Sequence, residues 1–261
     1  MGILDGLYKT IANNILDNMG GTDETQTRRK YYMGDQTKQL KVSRNKTDDN
    51  LIVNLVGLAV DRSVSHVLAG GVEFDLPGDV ETDNPQQDYI DAVYEVNKKS
   101  MLLMNAAING AVFGTGYLKI KPDGLNDPYT ALPYPRLIAL NPEYLCINCD
   151  PQDQERVISY VIQYQIGNTS YRETTRLVGP GDVMINEDGV EFPLDNTHWL
   201  IINEHTDKNS AKWVLDNKQE WPYNFPDIVH WKNMPSLGSV YGSADIDDIL
   251  GMQDKSNATV S

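Results

Sequence analysis

Apolar positions in the first half of the chain recur every three and four residues, the spacing of a single helical face. Ile3, Leu4, Leu7, Tyr8, Ile11, Ile15 and Met19 predict an amphipathic helix over 3–19, stopped by Gly20-Gly21. Thr22 and Asp23 can cap a second helix from about Asp23 to Met33. Gln36 to Asp49 is polar and turn-like, which predicts an exposed loop. A third helix is expected over 49–69. Leu51, Ile52, Leu55, Val56, Leu58, Ala59, Val60, Val64, Val67 and Leu68 cover much of its circumference, so burial on several sides is expected. Gly70-Gly71 breaks it, and Val72-Glu73-Phe74-Asp75-Leu76 alternates like a short strand. After an acidic turn over 78–85, one long helix is predicted from Gln86 to Phe113. Its stripe ends in the small residues Ala106, Ala107, Gly110 and Ala111, which permit close approach of another element.

The period changes at Gly114-Thr115-Gly116. Strands are predicted over 117–121, 136–140, 144–148, 157–166, 171–178, 183–186, 198–204, 212–216 and 228–232, separated by turns such as Gly179-Pro180-Gly181. Within Val157–Ile166, the side carrying Ile158, Tyr160, Ile162, Tyr164 and Ile166 is the expected core face. A connector from Asn233 to Gly242 leads to Ser243, a capping residue, and to a helix beginning near Ala244. Asp245, Asp247 and Asp248 there suit the positive end of the helix dipole. The order of elements gives an α+β fold: N-terminal helices, a mostly antiparallel β-rich region and a C-terminal helix. The expected division is an N-terminal helical segment (1–48), an α+β domain (49–243) and the start of a further helix (244–261).

Charge narrows the partners. With 22 basic and 37 acidic residues the formal net charge is −15. Such a balance disfavours a broad phosphate-binding face and attraction to anionic lipid. The excess is uneven: residues 1–46 carry eight Lys/Arg and five Asp/Glu. Arg28-Arg29-Lys30, followed by Tyr31-Tyr32, is the one cluster with the chemistry to touch DNA phosphate or a neighbouring subunit. A solvated helix face with both tyrosines turned inward is its structural alternative. No apolar run of about 18 residues is present to predict a membrane span.

Candidate chemistry is sparse. Cys146 and Cys149 form a single C-x-x-C, here in a strand-like run with no second pair. His66, His198, His205 and His230 show no metal-ligand spacing. Gly114-Thr115-Gly116 closes a helix and opens a strand, the reverse of a nucleotide-binding turn. Asp61 and Arg62 suit an ion pair or subunit contact better than catalysis. No catalytic residue, metal site or cofactor is assigned.

The stretch Trp221–Asp254 carries a resemblance. Pro226-Asp227-Ile228-Val229-His230-Trp231-Lys232-Asn233-Met234-Pro235 leads to Tyr241-Gly242-Ser243-Ala244-Asp245-Ile246 and then Gln253-Asp254-Lys255-Ser256-Asn257. Earlier pieces agree with it. They are Arg28-Lys30-Tyr31-Tyr32-Gly34, Asn50 to Asn54 with Val60-Asp61 and Gly70, Gly114-Thr115-Gly116-Tyr117-Leu118, and Asn141-Pro142-Glu143-Tyr144 with Cys149-Asp150. In this order the segments resemble the tailed-bacteriophage portal proteins, in the branch related to the SPP-one portal, over roughly residues 25–261.

The resemblance implies a wing-like α+β domain and a non-enzymatic subunit of a ring, dodecameric in the virion, at one capsid vertex. The implied partners are further copies of the chain, the terminase large subunit, major capsid and scaffolding proteins, head-completion proteins and the double-stranded DNA that passes through. The implied location is the virion, after assembly in the cytoplasm of the bacterial host. Portals of this branch run on through stem, clip and crown, so the chain is expected to be a fragment or a truncated product. Two other classes compete. One is a non-portal virion adaptor with the same helix-then-sheet layout. The other is a hydrolase whose carboxylates converge in a cleft of the β-rich region.

Overall fold

The computed structural model describes residues 23–36, 52–76, 84–122, 134–185, 190–206 and 212–260. The helix predicted over 3–19 lies outside these residues, as do most of the loop over 36–49 and most of the acidic turn over 78–85. The chain has the expected α+β content. It forms two compact units. A helical unit comprises Asp23–Leu140, His230–Ser236 and Tyr241–Ser261; a sheet unit comprises Asn141–Val229 and Leu237–Val240. This division cuts across the expected 1–48, 49–243 and 244–261, because the first and last described helices pack on one core.

The helical unit contains α1 (Asp23–Met33), α2 (Leu55–Leu68), α3 (Pro85–Val96), α4 (Lys99–Phe113), β1 (Thr115–Lys121), β2 (Arg136–Ala139) and α5 (Asp247–Val260). Its core joins Val56, Val60 and Val64 of α2 to Ala111, Val112 and Phe113 of α4 and to Ala244 and Ile246 ahead of α5. Tyr31 and Tyr32 of α1 pack against this cluster. β1 pairs antiparallel with β2, Leu118 opposite Ala139.

Three predictions for this unit are corrected. The helix expected over 49–69 begins at Leu55, because the Asn54 side chain accepts a hydrogen bond from Gly57 N (3.0 Å) and caps it. It buries one stripe only, Val56, Gly57, Val60 and Val64, while Leu55, Leu58 and Val67 are exposed.

The single helix expected over 86–113 is two. Asn97 ends α3: its side-chain amide donates to Val93 O (2.8 Å) and Pro135 O (2.9 Å) and accepts from Leu137 N (2.8 Å). Lys98 then takes a left-handed conformation (φ 53°) before α4 begins.

The strand expected over 72–76 has no partner strand among the described residues. The Gln87 side chain stands in for one, donating to Phe74 O (2.7 Å) and accepting from Leu76 N (2.9 Å). Phe74 stacks on Tyr94 of α3, ring centroids 4.4 Å apart.

The sheet unit is built on β3 (Leu145–Asp150), β4 (Asp153–Ile166), β5 (Thr169–Leu177), β8 (Trp199–Thr206) and β9 (Trp213–Trp221), in the spatial order β3-β4-β5-β8-β9. Every pairing in this sheet is antiparallel. A small hairpin joins β6 (Val183–Ile185) to β7 (Glu191–Pro193), the latter not predicted. β10 (Ile228–Lys232) follows, and its His230–Lys232 stretch belongs to the helical unit, where β10 lies beside β1.

β4 corrects the expected core face. Tyr160 is buried, but Tyr164 and Ile166 are exposed, while Ser159, Val161 and Gln163 of the opposite face are buried. The reason is that both faces are covered at one end of the sheet. On the Val161 face, Arg176 pairs with Asp182 (2.6 Å) and Lys218 donates to Val183 O (2.7 Å), which holds that segment across the strands. On the Tyr160 face, Thr175 donates to the buried Asp227 (2.8 Å) and Trp221 Nε1 donates to Phe225 O (2.8 Å). Burial, followed by the negative charges of Cys149 and Asp227, pushes the Tyr160 phenol up to about 12. The Arg176 guanidinium holds the Asp182 carboxyl below its usual range.

Gln163 is 9% exposed, and neither its amide oxygen nor its nitrogen has a hydrogen-bond partner. Burying an amide in that way costs free energy that a methionine of similar size does not. Gln163→Met is therefore expected to raise stability by about 1 kcal/mol. The check is a higher urea midpoint at unchanged slope. A lower midpoint would mean that the amide is satisfied in solution.

Candidate functional site

The segments that carry the portal resemblance are far apart in sequence. Several of them meet in the helical unit, around the C-terminal end of α4 and along α5. Gly114 closes α4 in a left-handed conformation (φ 81°) and its amide donates to Gly110 O (2.8 Å). Its carbonyl accepts from Asn233 N (2.8 Å). Gly242 N donates to Thr115 Oγ1 (3.0 Å), and Ser243 N donates to Met234 O (2.9 Å). The Trp231 ring lies against Gly116 so closely that a Cβ there would overlap it. The glycines of Gly114-Thr115-Gly116 are thus a contact surface. One admits the backbone of 242–243, the other an indole ring.

α1 supplies the second part. Arg28 is buried, 8% exposed as a residue, and its side chain pairs with Asp247 through Nε (2.7 Å) and Nη2 (2.7 Å). The same Nη2 donates to Glu24 (2.6 Å), and Nη1 donates to Phe113 O (3.3 Å). Its positive charge therefore sits at the negative end of α4 and beside an acid in the first turn of α5. Tyr31 donates to Asp254 (2.6 Å) and Tyr32 to Asp61 (2.9 Å). Burial first, then the hydrogen bond to Asp61 and its charge, push the Tyr32 phenol up to about 12.

The basic trio is thereby divided. Arg28 is corrected as a candidate for DNA or subunit contact, because its donors serve the interior of its own unit. Arg29 and Lys30 are exposed on the same helix.

The third part rests on two amide side chains that were read in the sequence only as part of the resemblance. Gln253 and Asn257, 2% and 1% exposed, lie one turn apart on α5 and contact the start of α2 and Gln36. Their signal was readable in principle. Ile246, Ile249, Leu250, Gln253 and Asn257 continue one helical face, and the last two are amides in an apolar stripe.

The remaining candidates do not assemble into chemistry. His198 Nδ1 lies 2.6 Å from Glu220, and His205 Nδ1 lies 2.6 Å from Asp216. His198, just ahead of β8, and His205 on β8 each thus meet a carboxylate of β9. Burial, and then the charge of Lys232, hold His230 below the usual histidine range. Among the described residues no group of three or more His, Cys, Asp or Glu side chains is placed to hold a metal ion.

Cys146 and Cys149 lie on β3 and are not joined in a disulfide. Three positions along a strand separate their Cα atoms by about 10 Å, beyond disulfide reach. Asp61, Arg62, Ser65 and His66, all on the outer side of α2, line an open depression of about 600 Å³. No described helix is long and apolar enough to cross a membrane. No protein-family model matches the chain, and no curated protein matches it.

Proposed function

We propose that the chain is a portal subunit of a tailed phage or prophage, acting mechanically rather than as a catalyst. In this reading it closes into a homo-oligomeric ring, a dodecamer in the virion, at one capsid vertex. The ring engages the terminase large subunit during packaging, joins scaffolding, capsid and head-completion proteins, and passes double-stranded DNA.

One observation carries the reading. Short motifs spread from Arg28 to Asn257 touch one another in a single junction. Arg28 meets Asp247, Tyr31 meets Asp254, Gly114 meets Gly242 and Asn233, Gly116 meets Trp231, and Val53 meets Gln253. Chance matches scattered over more than two hundred residues have no reason to be mutual contacts. Residues that hold one fold together do, and the resemblance rests on those residues.

The decisive experiment is the mass in solution together with negative-stain imaging, on this chain and on any longer product of its reading frame. Closed rings with a central channel support the proposal. Compact monomers for both at every concentration overturn it.

A narrower expectation concerns DNA. Arg29→Ala combined with Lys30→Ala removes two exposed cations while leaving the Arg28 pairing in place. In the assembled particle it is expected to lower DNA retention and to flatten its salt dependence, by up to about two phosphate contacts. Unchanged retention across a salt titration removes both residues from DNA contact.

A further inference from the structure

We propose that Gln36, Asn54, Gln253 and Asn257 form a coupling device that makes the docking of α5 and the start of α2 a single equilibrium. An α-helix leaves its first four N–H groups without internal partners. Past the Asn54 cap of α2 these include Leu55, Val56 and Gly57, and all three are satisfied. Asn54 serves Gly57: its side-chain oxygen accepts from Gly57 N (3.0 Å), while its carbonyl takes the first intrahelical bond, from Leu58 N (3.3 Å). Leu55 N is shared between the local Val53 O (2.9 Å) and Gln253 Oε1 (2.9 Å), and Gln253 Oε1 also accepts from Val56 N (3.3 Å). The cap of α2 is thus shared between its own flank and α5.

The circuit continues through uncharged amides. Gln253 Nε2 donates to Val53 O (2.7 Å) and to Asn257 Oδ1 (2.9 Å). Asn257 Nδ2 donates to Gln36 Oε1 (2.6 Å). Gln36 Nε2 donates to Tyr31 O (3.1 Å) and lies 3.5 Å from Asn54 Oδ1. Asn54 Nδ2 donates to Tyr32 O (2.8 Å).

Gln36, Gln253 and Asn257 are all buried. Removing one member strands its neighbours away from water, so such a network holds or fails as a whole. α5 therefore cannot lift its second half without uncapping α2 and releasing the turn at 34–36. The four members carry no charge of their own. This inference is independent of the portal reading.

The test is amide-resolved hydrogen exchange on the full chain. Asn257→Ala touches neither Leu55 nor Val56, yet it is expected to speed exchange of the Val56 amide by at least about tenfold, and of Leu55, which keeps Val53 O, by less. Exchange in α4 should be unchanged. Gln36→Ala enters the circuit from the opposite side, is expected to do the same, and provides the reading if Asn257→Ala does not fold. Met252→Ala, on the exposed side of α5, should alter neither amide. The proposal is overturned if both amides keep their rates in Asn257→Ala and Gln36→Ala. It is equally overturned if α4 amides accelerate by the same factor, which would be general loosening.

Discussion

Gly114→Ala is expected to cost more than about 4 kcal/mol, a large part of the margin of a typical domain. Two effects add. A left-handed backbone (φ 81°) penalises any side chain, by about 1 kcal/mol for alanine. The new methyl would also overlap the Gly242 carbonyl group, with Ser243 C at 2.8 Å. Overpacking costs about 1–3 kcal/mol where neighbours can shift, and here they are pinned. Gly242 is tied to Thr115, Ser243 to Met234, and Asn233 to Gly114 itself.

Gly71→Ala isolates the first effect. Its φ is 77° and nothing lies within 4 Å of an added Cβ, so about 1 kcal/mol is expected. Urea denaturation of the two variants decides the matter. If they fall within about 1 kcal/mol of each other, the contact between 114 and 242 is not close in solution.

Arg28→Ala is expected to cost about 3 kcal/mol or more. The loss combines the hydrogen bonds of a guanidinium that is only 10% accessible, to Asp247, Glu24 and the Phe113 carbonyl, with the packing of its buried stem, while Asp247 is left partly hydrated. A double-mutant cycle with Asp247→Ala separates the pair from the rest, and a coupling above about 1 kcal/mol is expected for two directly bonded side chains. Asp247 is the more exposed partner, with 36% of its side chain accessible against 10% for Arg28, so Asp247→Ala alone should cost less. Arg28→Lys should recover only part of the loss, since an ammonium cannot reproduce the two-pronged geometry. Equal stability of wild type and Arg28→Ala would remove this arginine from the scaffold and return it to the surface trio. Any DNA-retention assay that changes all three basic residues together would confound folding with binding.

The legible part of the fold was what period and punctuation record. α1 and β10 fell on their predicted bounds, and the shift from helix to strand at Gly114 was marked by its glycines. What stayed hidden depended on side chains acting at a distance. Asn97 splits the helix predicted over 86–113 because Pro135 and Leu137 offer it better partners than continued helix does. The segment 72–76 alternates like a strand, yet its pairing is supplied by a glutamine rather than by a described strand. The core face of β4 was misread because hydrophobicity along one strand does not say which faces other segments will cover.

The same holds for the site. Arg28-Arg29-Lys30 reads as three equivalent cations, and only the approach of Asp247, 219 positions later, distinguishes the first. Gln253 and Asn257 were visible as residues, but their partners at 36, 53, 55 and 56 were not.

One irregularity in the sheet unit bears on how this protein survives at high concentration. Among the described residues β9 is an edge strand, and Asp216 is an extra residue between Leu215, opposite Glu204, and Asn217, opposite Asn203. An edge strand left flat would be a template on which a neighbouring molecule could lay its own strand, and the next molecule another. The bulge kinks the edge and leaves only Trp213–Leu215 before it and Asn217–Trp221 after it in continuous register. Each run is shorter than the six- or seven-residue segments from which amyloid-like stacks are built. The bulge therefore guards against fibril growth, and the His205 imidazole, 2.6 Å from Asp216, secures it.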